Sequence, residues 1–129
     1  MPLNLSESAY YTGEEERQRK IVAYREKVWQ LFREQIAITD DMRHDPPYRQ
    51  NRILLKRLMG ALVVKLSDDG AVQWLKDSVE GYYTKGQAEY VTRGLEKLFE
   101  EACRDFVDRE KKRVEYANSL KSIRPGAKL

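Results

Sequence analysis

Few side chains in this chain are equipped for bond-making chemistry. His44 is the only histidine, and it sits in the run DDMRHD beside Asp40, Asp41 and Asp45. An imidazole and three carboxylates could gather around a divalent ion, but histidine-based metal sites draw further ligands from other elements, and no second histidine exists to supply one. The run therefore reads as a solvated loop in which Asp45 caps the following helix. Cys103 stands alone, has no partner for a disulfide, and lies in a helical apolar stripe, where a cysteine serves as a small packing residue. There is no glycine-rich phosphate loop, GxSxG elbow, CxxC pair or HExxH helix. The expectation is a protein without catalytic residues, metal or cofactor.

Charge carries more information. The net charge is only +3, yet residues 46 to 67 hold Arg49, Arg52, Lys56, Arg57 and Lys65 without one acid. From Arg109 onward, seven basic residues face two acids, with Lys111, Lys112 and Arg113 consecutive. Arg49, Arg52 and Lys56 are three and four residues apart, the spacing of one helix face, and Gly60 continues that line. Cations on one face beside a residue with no side chain suit a helix laid along a phosphodiester backbone, where cations displace counterions and glycine permits close approach. Two other readings accompany this one: a basic surface for an acidic protein partner, and a solvated face paired with the acids of neighbouring helices. Eight tyrosines and two tryptophans are present. Tyr48, Tyr82, Tyr83 or Tyr116 would stack on bases if exposed, or close helix ends if buried.

The elements that position these residues follow from apolar spacing. Thr12 to Glu15 have the form of a capping box, so a first helix is expected from about Glu14 to about Ile38, with Ile21, Tyr24, Val28 and Leu31 inward. Pro46 suits the first position of a second helix reaching about Leu66, with Leu54, Leu55, Leu58, Leu62 and Leu66 turned to the core. Ser67 to Gly70 form a turn. A third, short helix spans about Ala71 to Tyr83 and is closed by Thr84, Lys85 and Gly86. A fourth runs from Gln87 to about Asn118. Unbroken, it would measure ~48 Å, against a radius of gyration near 14 Å for a compact domain of this length. The fourth helix must therefore project, bend, or break, Gly94 being one place for a break. A tight turn before the third helix hints at a helix-turn-helix, but Lys76, Asp77 and Glu80 on the would-be reading helix are wrong for the major groove. Backbone contact without sequence reading is the expected mode.

The fold class is thus all-α: one domain over residues 1–129, an elongated bundle of two long and two shorter helices, with an N-terminal arm (1–13) and a basic C-terminal tail (119–129). At 41% hydrophobic and 35% charged residues, the chain is too apolar to be disordered. Its longest apolar run, Met59 to Val64, is too short to span a membrane, and its N-terminus lacks the pattern of a secretory signal, so the expected location is cytoplasmic. A small, all-helical, non-catalytic chain with basic faces at Arg49, Arg52, Lys56 and Arg57 and at Lys111, Lys112 and Arg113 resembles the small subunit of Cascade-type CRISPR effector complexes. The resemblance implies stacking in several copies within a ribonucleoprotein, with guide RNA and other subunits as partners and contacts to the target or non-target DNA strand. The alternative is a helical interaction module or homo-oligomeric adaptor with no nucleic-acid role.

Overall fold

The computed structural model describes residues 5–37 and 46–127. The elements are α1 (Leu5–Ala37), α2 (Pro46–Gly60) continued by a π-helical turn (Ala61–Lys65), α3 (Ala71–Tyr82), α4 (Lys85–Thr92) and α5 (Leu95–Ala127). No strand occurs among the described residues, and the all-α class holds. The two long helices, α1 and α5, have 33 residues each. Among the described residues no helix is long and apolar enough to cross a membrane.

Ile21, Val28, Leu31 and Phe32 of α1, Leu55, Met59 and Leu62 of α2, Leu75 and Val79 of α3, and Leu95, Phe99 and Ala102 of α5 form one buried cluster. Their three- and four-residue spacing makes each helix one-sided, and burial of those sides against one another holds the bundle. Leu54, expected inside, is partly exposed, and Met59 is fully buried; the buried residues 55, 59 and 62 centre roughly 100° around the helix from Leu54, which puts it at the edge of the core face.

Packing fixes the directions. Arg17 and Arg25 of α1 reach the residues just past the end of α2, so α1 and α2 are antiparallel. Arg25 lies over Trp74, and Trp29 and Arg33 meet Tyr82, so α3 runs alongside α1 in the same direction. Lys56 faces Glu101 and Asp105, while Gly60 faces Ala102 and Phe106, so α2 and α5 are parallel. A Cβ at Gly60 would lie 2.7 Å from both the Ala102 carbonyl oxygen and the Phe106 Cβ. Glycine is needed here because two helix backbones touch.

The Ser67 to Gly70 turn is present as expected and is held from α1. Ser67 adopts a left-handed backbone, φ 52°, and the Asp68 amide donates to the Leu62 carbonyl at 2.8 Å. Arg17 Nε donates to the Leu66 carbonyl at 2.9 Å, a cation on the carbonyl end of α2. Asp68, only 7% exposed, accepts two bonds from Arg25, Nε to Oδ2 at 2.7 Å and Nη2 to Oδ1 at 2.6 Å.

Several boundaries differ from expectation. Residues 5–13 are helical: α1 begins at Leu5, not near Glu14, and passes through the Thr12 to Glu15 motif without stopping, because a capping box is compatible with helix interior when helix-forming residues precede it. Thr84 does not close α3. It opens α4, its amide donating to Gln87 Oε1 at 3.3 Å and its hydroxyl to the same oxygen at 3.0 Å. The expected fourth helix is two, parted at Arg93 and Gly94. There Thr92 turns its hydroxyl back to the Ala88 carbonyl at 2.8 Å and glycine adds poor helix propensity. The tail is helical as far as Ala127. The DDMRHD loop lies outside the described residues.

Two stability measurements check this packing. Gly60→Ala should cost about 1–3 kcal/mol through forced separation of α2 and α5, whereas Gly81→Ala, with open space at its Cβ, should gain up to about 1 kcal/mol; urea unfolding reads both. Asp68→Ala should cost about 3 kcal/mol by stranding Arg25, and combining it with Arg25→Ala should cost less than the sum by at least about 1 kcal/mol.

Candidate nucleic-acid interface

The cations singled out in the sequence do not share one fate. Arg49, Arg52 and Arg57 on α2, Lys65 at its π-helical end, and Lys111, Lys112 and Arg113 on α5 are exposed. Lys56 is not available. Its ammonium lies 3.5 Å from Glu101 Oε2 and 3.7 Å from Asp105 Oδ2, with 21% of the side chain exposed. The expected stripe from Arg49 to Gly60 is therefore corrected at its upper half: Lys56 and Gly60 form the seam with α5, and Gly60 serves the approach of a helix, not of a phosphate chain. Helical spacing correctly placed these residues on one face but could not say that the face is covered.

What remains is two separated basic regions. At the end of the bundle where α1 stops and α2 starts, Arg49 and Arg52 carry no ion pair among the described residues. At the other end, α5 passes the end of α2 and leaves the bundle. Val64 is the last α2-side contact in the apolar groove shared with Phe106, Val107 and Val114, and every residue from 111 to 121 is exposed. Arg113 bonds only within its own helix, to Glu110 Oε2 at 3.0 Å. Arg109 lies 6.0 Å from the Phe106 ring centroid. Between the two regions α5 presents Glu100, Arg104, Asp105 and Asp108 to solvent and α2 presents Arg57, so the flank beside α2 is of mixed sign.

The tyrosines also divide. Tyr82 and Tyr116 are exposed, Tyr83 is half-buried, and the side chain of Tyr48 lies outside the described residues. Tyr83 meets Tyr82 edge-on at 4.9 Å, and Tyr82 meets Trp29 edge-on at 5.5 Å. Burial, and next the neighbouring Tyr82, push the Tyr83 hydroxyl above its usual value, with Arg33 opposing. Sequence reasoning missed Trp29, Arg33, Gln35 and Tyr90, which border the same end. The available signal was the four-residue spacing of Trp29 and Arg33 on α1.

Burial raises the Cys103 thiol, which disfavours the thiolate a nucleophile needs. Glu96 is held below its usual range by a hydrogen bond and then by the charge of Lys76, 2.6 Å away, a surface pair joining α3 to α5. Among the described residues no three His, Cys, Asp or Glu side chains gather as a metal site. No protein-family model, curated protein or solved structure matches the chain.

The division of the α2 cations is testable by stability alone. Lys56→Glu would place a third carboxylate between Glu101 and Asp105 and should cost more than about 1 kcal/mol, while Arg49→Glu with Arg52→Glu should stay within about 0.5 kcal/mol per site, both read by thermal and urea unfolding.

Proposed function

We propose that this protein is a non-catalytic helical subunit that binds nucleic acid through the phosphate backbone within a larger ribonucleoprotein assembly. The observation that carries the reading is the distal half of α5, a helix exposed on every side from 111 to 121 that takes Lys111, Lys112 and Arg113 out of the bundle. A helix segment exposed on every side gains nothing from the core it leaves, and persists as a useful element when it docks on something else. Three consecutive cations beside Arg109 and Lys121 favour a polyanion. Arg49, Arg52, Arg57 and Lys65 add exposed charge, and Lys56 is excluded from the contact set. No element presents a reading surface for base edges in a groove, so sequence-independent contact is the mode. Membership of a Cascade-type effector as its small subunit, in several copies along a target or non-target strand, remains the form of this proposal that the sequence resemblance implies.

A second reading has its own observation. Val107, Val114 and Leu120 are exposed along the same distal helix, and Val64 joins the groove at its base; an adaptor that buries this stripe against a partner helix would use the cations only as a rim.

Binding of a short single-stranded DNA should weaken steeply between about 50 and 200 mM salt. Changing Lys111, Lys112 and Arg113 together to Glu should lower affinity at least tenfold and reduce the slope of log affinity against log salt by about 2, with the circular dichroism melt unchanged. Salt-independent binding, or a light-scattering mass showing self-association that DNA does not alter, would favour the adaptor.

A further inference from the structure

We infer that the end of the bundle where α1 stops and α3 meets α4 is a stacking platform for unpaired bases, so that the protein prefers single-stranded nucleic acid to duplex. The inference rests on the backbone-binding reading and adds the part of the ligand that this reading leaves out. Tyr82 is 58% exposed and Tyr90 77% exposed, rings that contribute little to the core. They are linked through Tyr83, which touches Tyr82 and lines with Tyr90 a groove of about 720 Å³ floored by Phe32 and Val91. Arg33 lies between two rings, its guanidinium carbon 5.3 Å from the centroids of both Trp29 and Tyr82. A planar delocalised cation in an aromatic row extends the stacking surface and draws anionic ligands toward it.

The polar groups at this site point to the same ligand. Gln35 Nε2 and Arg33 Nε are buried with no hydrogen-bond partner among the described residues, and Gln35 lines the groove. An unsatisfied buried donor is costly, and a ligand bringing acceptors relieves it. Gln87, on the facing wall, has its carbonyl oxygen already engaged by Thr84. The site thus offers donors and π faces, which suits the acceptor-bearing edge and face of a base. The exposed guanidiniums of Arg49 and Arg52 stand at the same end by the antiparallel course of α1 and α2, ready for the phosphates. Bases within a duplex have both faces occupied by their neighbours and cannot use such a platform, whereas single strands can.

Fluorescence anisotropy at low salt should compare three labelled ligands: an oligothymidylate of about 15 nucleotides, an abasic deoxyribose-phosphate chain of the same length, and a duplex. The oligothymidylate is expected to bind about tenfold or more tightly than the abasic chain, and more tightly than the duplex. Tyr82→Ala with Tyr90→Ala should bring its affinity down to the abasic level without changing abasic binding; Tyr82→Phe should retain it. Both alanine positions are exposed, and an unchanged thermal melt verifies the fold. Equal affinity for oligothymidylate and abasic chain overturns the stacking platform while the backbone reading stands. Binding of neither overturns both.

Discussion

The contact on which the rest of the arrangement depends is the touching of two helix backbones at Gly60. With no side chain in the way, α2 settles against Ala102 and Phe106 of α5, and this closeness brings Lys56 within reach of Glu101 and Asp105. Immediately after Gly60 the chain widens into the π-helical segment Ala61–Lys65, the Leu66 amide donating to the Ala61 carbonyl at 2.9 Å. Local departures from α-helical winding of this kind occur where a helix adjusts to a neighbour or a site. Because α2 and α5 are parallel and α2 ends first, α5 must continue alone.

A second constraint keeps that end of the bundle rigid. The turn after α2 contains a serine with a left-handed backbone and a nearly buried carboxylate, neither comfortable in isolation. Arg25 answers the carboxylate with two hydrogen bonds while stacking 5.1 Å from the Trp74 centroid. Arg17 covers the last carbonyls of α2. One helix thereby fixes where α2 stops and where α3 begins, and so fixes the point beyond which α5 is unsupported.

The electrostatic surface follows from the same geometry. A chain of nearly balanced charge becomes a body with cations at both ends and charges of both signs along the flank between them. A polyanion lying straight along α2 and α5 would meet Glu100, Asp105 and Asp108 together with Arg57 and Arg104, so the uncompensated cations lie toward the two ends. Aromatic rings touch one another only at the α1–α3 end, as Trp29, Tyr82 and Tyr83, while distal α5 carries Phe106 under Arg109 and an exposed Tyr116 among the described residues.

By itself the sequence determined the class of fold and most of its helices, because apolar spacing such as that of Val28, Leu31 and Phe32 or of Leu75 and Val79 reports a buried face directly. It located Pro46 at the start of α2 and the turn at Ser67 to Gly70, and it named Gly94 as one place where the long fourth helix would break. It also picked out cations that remain exposed on α2 and α5, since charged side chains are rarely buried without a partner. The tertiary structure decided which faces are covered. Arg49 and Lys56 share a helix face, yet one meets solvent and the other two carboxylates 45 or more residues away in the chain; Thr12 and Thr84 head similar motifs, yet only Thr84 starts a helix. Arg25 and Asp68, 43 residues apart, carry no local sign of their pairing. Periodicity encodes which residues point the same way; what they point at depends on how separate helices pack, and that is set by contacts distant in sequence.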